Sequence, residues 1–528
     1  MTFRQCRSFV LAVVLGSLAV LGGVEAQQRG RTEAPLTEEQ KLLEAMHLIQ
    51  SQTLYDYVKE LVSEKYGGRL TGTPAYDRSV DWVVSLLKQW GVQPGGENGT
   101  YLQTYPNPYT LVFPGGFLKM EIPAKDGMIT KTYKYEDEFL PGGTSGSGEI
   151  KAEVVYVGFG ITAPELGYDD YAGVDVKGKV VLMDPEAPIQ AADTDLFRKW
   201  RPYSFHQAKL ETAVAQGAKG MIYNYGPIVN PNNSYREGFI YHHVGAAVVA
   251  DVFAGTGRTY ADTAAKIRKE LKPQSFATGK IMALKNVTEH HPEGKGVNVI
   301  GVVPGTDPKL KDDIILIGGH LDHLGRCWEL MPGANDNATA VAVGLGVAEA
   351  LAKCAVKPKR TVVFALWTGE EKGLLGSRYY TLNPPFPMDK TVGYLNYDMI
   401  SRPYDETTIA RSMARYRVPG AEDLVKKIRA PWFATVNLTE GTPFADITRE
   451  MNKYVGLDLA LQPYALGAGS GGSDHSSFAQ VKKPFVYYMA AMTSDYHQPS
   501  DSVEKVSGEL IAKISQMGFL TVFEFVDR

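Results

Sequence analysis

The chain has 528 residues, of which 44% are hydrophobic and 22% are charged. This is the composition of an ordinary globular protein, so a chain that is disordered throughout is excluded. The 55 Lys and Arg residues are balanced by 59 Asp and Glu residues, and no long basic run occurs. We therefore expect no nucleic-acid partner. At roughly 100–200 residues per domain, the length predicts several domains.

The N-terminus has the pattern of a secretory signal peptide. Arg4 and Arg7 precede an uncharged run, Ser8–Val24, and the small residue Ala26 follows it closely. A basic start, an apolar stretch and a small-residue cleavage site predict a signal peptide over residues 1–26. A retained signal anchor is the alternative, but the 17-residue run is short for a membrane span. We expect an exported protein, periplasmic or extracellular, with no stable membrane insertion after cleavage.

Cysteine is too scarce to build a disulfide framework. Of the three cysteines, Cys6 lies in the predicted signal peptide, which leaves Cys327 and Cys354. They form no Cys-x-x-Cys motif, and two cysteines cannot staple a chain of this size. Whether these two residues pair stays open at this point.

The region after the signal peptide begins with helical patterns. Apolar residues at three- and four-residue spacing predict helices within Leu36–Lys65 and Ala75–Trp90. Between them, Tyr66–Thr73 is a Gly-rich turn, and residues 101–150 have the Pro, Gly and Tyr content of strands and loops.

A different texture begins near Gly146. Buried strands and a helix are predicted at Glu153–Gly160, Gly178–Met183, Ala208–Gln216 and Ala218–Asn224. Their spacing resembles the protease-associated (PA) domain that is inserted into several exopeptidases. The resemblance implies an inserted β-rich α/β domain over residues 140–280 that acts as a spacer or lid and has no catalytic motif of its own.

From Val297 onward, strand and helix signals alternate. The predicted strands are Val297–Val303, Asp313–Gly318, Thr361–Trp367, Thr391–Asn396 and Phe485–Met489. The predicted helices are Thr339–Lys353, Lys372–Tyr380, Glu422–Arg429 and Gly508–Phe525. This alternation predicts an α/β fold with a mostly parallel sheet flanked by helices, in which function gathers at the carboxyl ends of the strands.

Five segments near those strand ends carry residues that bind metals. They are Gly319-His320-Leu321-Asp322-His323, Gly333-Ala334-Asn335-Asp336, Gly369-Glu370-Glu371, Asn396-Tyr397-Asp398 and Tyr496-His497 with Asp501. Each segment alone is a weak signal, but strand ends of one parallel sheet converge in space. Two histidines with several carboxylates suit zinc, and the absence of cysteine among them argues against a closed structural site.

In this order, the five segments resemble peptidase family M28, a family of zinc aminopeptidases and carboxypeptidases. The resemblance covers residues 281–528, with an N-terminal part of the same domain over residues 27–139, and no ligand is missing. It implies two zinc ions per chain. His320 and Asp398 would hold one ion, Glu371 and His497 the other, and Asp336 would bridge them.

The resemblance also implies catalytic roles. A water between the two metals, which lie about 3.5–4 Å apart in such pairs, would be the nucleophile. Glu370 would be the general base that activates this water, and Asp322 would hold the imidazole of His320 in one tautomer. Tyr496 would stabilise the tetrahedral oxyanion, or else be a core tyrosine with a hydrogen-bonded hydroxyl.

Other polar motifs carry less weight. The segment around Asp474 and His475 matches a recurrent Ser-Asp-His segment of the family, and we expect it to line the site without binding the metal pair. The tandem pairs His242-His243 and His290-His291 are predicted to lie in surface loops, because adjacent histidines rarely chelate one metal together.

These expectations favour an exported di-zinc exopeptidase, foremost an aminopeptidase acting on peptides. A carboxypeptidase or dipeptidase of the same family is the alternative, and it would need a basic group for the substrate carboxylate. The candidates are Arg326, Arg378 and Arg402. A glutaminyl cyclase-like transferase and a non-enzymatic binding protein are less favoured, and the oligomeric state stays open.

Overall fold

The computed structural model describes residues 35–125, 127–189, 194–230, 234–415, 423, 425–466 and 471–527. The signal peptide predicted over residues 1–26 lies outside them. The chain divides into two units, residues 1–44 and 45–528. None of the helices in the described ranges is both long and apolar enough to cross a membrane.

In chain order, the helices are α1 (Glu38–Met46), α2 (Ser51–Leu61), α3 (Pro74–Gln89), α4 (Thr194–Ser204), α5 (His206–Ala215), α6 (Ala246–Phe253), α7 (Tyr260–Glu270), α8 (Thr339–Lys353), α9 (Leu375–Leu382), α10 (Glu406–Arg415), α11 (Phe444–Val455), α12 (His475–Gln480) and α13 (Gly508–Asp527).

The strands, numbered along the chain in the same way, are β1 (Gln93–Pro94), β2 (Leu102–Pro106), β3 (Tyr109–Ala124), β4 (Gly127–Thr132), β5 (Phe139–Pro141), β6 (Gly148–Tyr156), β7 (Thr162–Ala163), β8 (Tyr168–Asp169), β9 (Val180–Met183), β10 (Gly220–Tyr223), β11 (Ile240–Val244), β12 (Phe276–His291), β13 (Lys295–Val303), β14 (Ile314–His320), β15 (Arg326–Cys327), β16 (Glu329–Leu330), β17 (Thr361–Trp367), β18 (Thr391–Tyr397), β19 (Phe433–Thr439), β20 (Asp458–Tyr464) and β21 (Phe485–Met489).

The first sheet is mixed, with a parallel centre. Its strand order is β1-β13-β17-β14-β18-β21-β19-β20, and β2 also pairs with β13. The pairings β17–β14, β14–β18 and β18–β21 are parallel. β13 and β19 each join this centre in antiparallel fashion. The predicted mixed, mostly parallel sheet flanked by helices is thus confirmed.

Both faces of this sheet are covered because the strand side chains alternate between them. Leu316 of β14 belongs to a core cluster with Trp367, Tyr380 and Phe478. On the other face, the side chain of Ile317, the next residue of β14, approaches α13. Helix α8 packs against β14 on one side and against α2 and α13 on the other. Strands buried on both faces are near-continuous apolar runs, which is why the sequence pattern located them.

The second sheet draws mostly on a long stretch of chain before β13, and the short strands β15 and β16 join it from later in the chain. Its order is β16-β15-β3-β12-β6-β9-β10-β11-β5, with β4 on β3, and β7 and β8 form a separate ribbon. The pairs β6–β9, β9–β10 and β10–β11 are parallel. The long strand β3, which starts at Tyr109, pairs in antiparallel fashion with the long strand β12, which ends at His291. The predicted strands near residues 153, 178 and 218 correspond to β6, β9 and β10.

Most predicted elements after Val297 match the structure within a few residues. β17, β21 and α8 have the expected bounds, whereas the helix predicted at Lys372–Tyr380 is α9 and begins only at Leu375. Gly373, at a φ of 106°, precedes it and does not favour a helical start. The helix predicted at Glu422–Arg429 lies partly outside the described residues. Cys327 and Cys354 are separate buried thiols.

Candidate metal centre

The predicted metal-binding residues meet at one edge of the first sheet. His320 ends β14, the two residues Glu370 and Glu371 follow β17, and Asp398 follows β18. Since these strands are parallel, their carboxyl ends lie side by side. Two loops complete the set. Asp336 lies in the turn that precedes α8, and His497 lies in the loop after β21.

Glycines bring this edge into close packing. A Cβ atom on Gly318 would lie 1.8 Å from the main-chain oxygen of Ala365 in β17. A Cβ atom on Gly319 would lie 2.5 Å from the oxygen of Tyr397 in β18. Only glycine allows both neighbouring strands to approach so closely just before His320.

Asp336 stands between the two histidines. Its Oδ1 lies 3.3 Å from Nε2 of His320, and its Oδ2 lies 3.3 Å from Nε2 of His497. The two oxygens of one carboxylate therefore face two different imidazoles. The residue is buried, and its loop contains a cis peptide bond between Asp336 and Asn337.

Each histidine has further carboxylates beside it. Nε2 of His320 lies 3.6 Å from Oδ1 of Asp398 and 4.0 Å from Oε2 of Glu370. Nε2 of His497 lies 3.0 Å from Oε2 of Glu371. Potential ligand atoms of His320, Glu370 and Asp398 all lie within 4.8 Å of one another, as do those of His320, Asp336 and Glu371.

The donor atoms of this cluster fit a metal. Among the described residues, Nε2 of His320, Nε2 of His497 and Oδ1 of Asp398 are buried without a hydrogen-bond partner. Leaving buried polar atoms unpaired costs about 1–3 kcal/mol each, and each such atom is expected to have a partner. Imidazole nitrogens and carboxylate oxygens without cysteine are a donor set that suits zinc.

The second nitrogen of each histidine is held by a main-chain oxygen. Nδ1 of His320 donates to the oxygen of Asp322 at 3.1 Å, and Nδ1 of His497 donates to the oxygen of Val229. A carbonyl oxygen only accepts, so Nδ1 carries the proton and Nε2 keeps its lone pair for a metal. The Asp322 carboxylate, expected to orient His320, lies 3.6 Å from this Nδ1 and accepts from the main-chain N–H of Glu370 at 3.3 Å.

The electrostatic environment of the two histidines favours a cation. Burial lowers the pKa of both histidines, but the carboxylates outweigh it. They raise the pKa of His320 well above its usual value, with Glu370 first among the causes. Glu371 and Asp336 raise the pKa of His497 to about 10. Conversely, although burial opposes it, His320 and His497 hold the pKa of Asp336 well below its usual value. The carboxylates thus favour positive charge at both Nε2 atoms.

Glu370 differs from the other acidic residues of the cluster. Its side chain is 11% exposed, against 4% for Glu371 and 6% for Asp398. Burial, partly opposed by His320 and then reinforced by the carboxylates of Asp398 and Asp474, raises its pKa well above the usual value. A carboxylate with a raised pKa that reaches solvent is suited to proton transfer.

The other two predicted site segments lie close by. The ring of Tyr496 stacks on that of His497, with centroids 3.7 Å apart. Asp474 is fully buried, and burial raises its pKa to about 7. The hydroxyl of Ser473 accepts from the side-chain amide of Asn396, two residues before Asp398. The segment around Asp474 therefore packs behind the end of β18.

A buried ion pair holds the Asp336 loop. Asp501 accepts from the main-chain N–H groups of Asn335 and Asp336, at 3.0 and 3.1 Å, and pairs with Arg402 at 2.5 Å. Arg402 therefore serves the loop rather than a substrate carboxylate. Arg326, another of the three basic candidates, is also engaged, by Glu64.

A cavity of about 350 Å³ opens onto the cluster. Glu370, Glu371, Tyr496 and His497 line part of it, and so does Arg378, the third basic candidate. Another part comes from α4, α5 and β10. These elements belong to the stretch from β3 to β12 (Tyr109–His291), which we call the second-sheet region. Phe205, Tyr223 and Tyr225 form an aromatic wall there. The second-sheet region therefore contributes to the cavity that faces the candidate metal centre.

The second-sheet region also touches a predicted ligand directly. Besides the bond from His497 to Val229, the side chain of Gln498 donates to the oxygen of Pro227. The loop is fixed from below by His243, whose Nδ1 lies 2.5 Å from the oxygen of Ile228. The expectation that His242 and His243 lie in a surface loop is wrong. Both are fully buried in β11, because the strand is covered on both faces.

Sequence reasoning missed three parts of this site. The Val229 oxygen has no side-chain signal that could reveal it. His323 carries no role predicted from the sequence, yet its Nδ1 lies 2.6 Å from Oε1 of Glu371. Arg69, in the Gly-rich turn, is fully buried beside the cluster. An arginine that interrupts a Gly-rich turn is a signal that could have drawn attention to it.

The sequence is similar to known peptidases. The model of peptidase family M28 matches residues 298–522. An aminopeptidase of Pseudomonas aeruginosa (strain UCBPP-PA14) is 28% identical over 353 residues, which cover 66% of this chain and 56% of that protein. The matched region therefore spans little more than half of that relative.

Solved structures share the fold over nearly the whole chain. An aminopeptidase from Aneurinibacillus sp. strain AM-1 is 20% identical, with a TM-score of 0.61 over 91% of this chain and 94% of the other. A peptidase M28 precursor from Shewanella amazonensis SB2B is 19% identical, with a TM-score of 0.60 over 93% and 97%. These solved structures show that the chain shares their fold, and residues 298–522 match the model of peptidase family M28.

Proposed function

We propose that this protein is a di-zinc exopeptidase that removes N-terminal residues from peptides. The observation that carries the proposal is the position of Asp336, whose two oxygens each lie 3.3 Å from a different histidine nitrogen. One carboxylate aimed at two unpaired imidazole nitrogens is the arrangement needed to bridge two cations. The M28 family match supports it.

In this proposal, His320 and Asp398 hold one zinc, Glu371 and His497 hold the other, and Asp336 contacts both. Bound zinc polarises a peptide carbonyl and makes water acidic enough to attack near neutral pH. Elemental analysis should find two zinc ions per chain in the active protein, and chelation should abolish turnover. A fully active protein with a single metal would contradict the two-zinc assignment.

We assign Glu370 as the general base. It accepts a proton from the attacking water and delivers it to the leaving amine. Its raised pKa and its exposure to the cavity suit it to both steps. Tyr496 is assigned to stabilise the negative oxygen that develops on the scissile carbonyl. Its position in the wall of the same cavity supports this role.

The direction of cleavage is inferred from charge. Arg201, which pairs with Glu186, also lines the cavity, as do Lys372 and Arg378. The carboxylates of Glu370 and Glu371 belong to the candidate metal centre, and we infer that there they favour a free, positively charged α-amine. Matched dipeptides and tripeptides that have a free C-terminus and either a free or an acetylated N-terminus provide the test. We expect turnover of the free amines only, and turnover of the acetylated peptides from the C-terminal end would overturn the aminopeptidase assignment.

One observation favours a carboxypeptidase or dipeptidase instead. Arg378 is exposed and lines the same cavity, where it could hold a substrate carboxylate. If it does, peptides with a free C-terminus should have a lower KM than their C-terminal amides, and Arg378→Gln should remove that difference. If the free and the amidated peptides have the same KM in the wild type, the aminopeptidase stays the better assignment.

We further propose that the protein is exported and that the region predicted over residues 140–280 is a PA domain. The pattern of residues 1–26 supports export, and N-terminal sequencing of the mature protein should begin near Gln27. The contact of Val229 with His497 suggests that the inserted domain does more than act as a spacer. It forms part of the substrate cavity and orients one metal ligand.

A further inference from the structure

Arg69 is a fully buried arginine at the candidate metal centre. Its Nε donates to the oxygen of Leu321 at 2.9 Å, and its Nη2 donates to the oxygen of Gly333 at 2.8 Å. Its Nη1 is shared between the oxygens of Pro332 at 2.8 Å and Leu61 at 3.0 Å. All four acceptors are main-chain carbonyls rather than carboxylates.

Three of the four acceptors belong to the two loops that carry predicted ligands, and the fourth, Leu61, ends α2. Leu321 directly follows His320, and Gly333 lies three residues before Asp336. The same guanidinium therefore holds both loops at a fixed separation, although they come from different elements. A lysine could not do this, since its ammonium is a point donor, whereas the planar guanidinium has five N–H groups in a rigid fork.

The backbone around Arg69 is also committed to this position. Gly67, Gly68 and Arg69 have φ values of 54°, 70° and 50°. A left-handed conformation is unfavourable for a non-glycine residue such as Arg69. Main-chain hydrogen bonds join the turn to the neighbouring loop. The oxygen of Gly68 accepts from the N–H of Gly325 at 2.9 Å, and the oxygen of Arg69 accepts from the N–H of His323 at 3.1 Å. Such strain persists only where the surroundings fix it, and it is common at functional sites.

Burial of this charge is unfavourable for stability taken alone. Burial lowers the pKa of Arg69 to about 10, with the carboxylates of Asp322 and Asp336 opposing, so the group stays positive at neutral pH. Burying an ion is unfavourable, and an apolar side chain of similar volume would avoid that cost. A role at the site accounts for an arginine at this position.

We propose that Arg69 is a positioning residue that sets the separation of His320 and Asp336 and thereby preorganises the metal centre. This inference rests on the proposed function. It gives a role to the N-terminal Gly-rich turn, which lies outside the region matched to family M28.

The test separates positioning from charge. A positive group repels zinc, so if Arg69 acted by charge alone, Arg69→Met would bind zinc more tightly and Arg69→Lys would be unchanged. Positioning predicts the opposite, namely at least tenfold weaker zinc binding in both variants. Arg360→Lys is the matched control, because Arg360 pairs with Asp313 at the opposite end of β17. It should bind zinc like the wild type.

Zinc affinity is measured by competition with a chromophoric chelator, and the cobalt-substituted protein gives a visible spectrum that reports ligand geometry. An altered cobalt spectrum with weakened zinc binding supports positioning. Wild-type affinity and an unaltered spectrum in Arg69→Lys overturn it, even if its thermal stability falls, and this variant suffices if Arg69→Met does not fold. Failure of the wild type to bind zinc would instead refute the proposed function.

Discussion

Two clusters of buried charged side chains in the described part of the chain differ in how their polar atoms are paired. The first lies in the second-sheet region, where Asp170, Asp184 and Lys209 are all at most 1% exposed. Tyr156 and Asn224 donate to the Asp184 carboxylate at 2.7 and 2.8 Å. The ammonium of Lys209 donates to the main-chain oxygen of Asp184 at 2.7 Å. Within the described residues, this cluster is internally satisfied.

The second cluster is the candidate metal centre. It is also largely buried, with Glu370 the most exposed at 11%, yet Nε2 of His320, Nε2 of His497 and Oδ1 of Asp398 have no hydrogen-bond partner among the described residues. Buried charge by itself is therefore no sign of a ligand site in this protein. What distinguishes the candidate metal centre is a set of unpaired acceptor atoms in one cluster, for which a cation is a fitting partner.

The largest expected effect comes from separating the base from the ligands within the second cluster. Glu370→Gln keeps the shape but removes the proton acceptor, so turnover should fall on the order of 10²–10⁴-fold while zinc content stays at two. Glu371→Gln should lose one zinc, because an amide is a poorer ligand, and added zinc should restore part of its activity. Asp336→Asn should be worse than Glu371→Gln, since it disturbs both ions.

Metal analysis beside steady-state kinetics checks these three variants. Loss of zinc in Glu370→Gln with two zinc ions retained in Glu371→Gln would reverse the assignment of the adjacent glutamates. Full activity in Asp336→Asn would remove the basis of the bridging model and of the contrast between the clusters.

The first cluster should respond to substitution in stability rather than in zinc. Lys209→Met removes the cation that faces Asp170 and Asp184, and breaking a buried charge arrangement costs about 3–5 kcal/mol. Zinc content should be unchanged, because the cluster contains no unpaired ligand atoms among the residues that the structure describes. Urea unfolding followed by circular dichroism measures the loss. The exposed Lys219→Met is the control and should change stability by less than about 0.5 kcal/mol. Zinc loss in folded Lys209→Met would erase the distinction.

Much of the metal centre could be predicted because its chemistry is carried by side chains at strand ends. Buried parallel strands are apolar runs, so β14, β17, β18 and β21 were visible in the sequence, and the residues after them converge by the geometry of the sheet. The match of residues 298–522 to the model of peptidase family M28 agrees with the resemblance seen in these segments. The roles of individual residues, from Asp336 to Glu370, stay predictions until they are tested.

What the sequence could not predict depends on contacts far along the chain or on the main chain itself. Arg69 lies in a turn that looked local, but its acceptors include Leu321 and Gly333, more than 250 residues later. The Val229 oxygen could be supplied by any residue type, so composition does not mark it. His243 looked like part of an exposed polar pair. It is fully buried, and burial lowers the pKa of its ring to about 3, so the ring is neutral at neutral pH, with its Nδ1 2.5 Å from the oxygen of Ile228.

The smallest expected effect tests whether the second-sheet region tunes the metal centre. Gln498 adjoins His497 and donates to Pro227, so it helps to hold the loop whose Val229 oxygen orients the imidazole. Gln498→Leu removes one hydrogen bond worth about 0.5–1.5 kcal/mol. If that energy is spent on orienting His497, zinc affinity should weaken about 2- to 12-fold.

Gln516→Leu is a matched control, because Gln516 also donates to a main-chain oxygen, that of Ile49, through a part-buried bond. Chelator competition should then show weaker zinc binding in Gln498→Leu and wild-type binding in Gln516→Leu. Equal affinities in the two variants would mean that the second-sheet region only covers the cavity, and that the first sheet alone sets the geometry of the ligands.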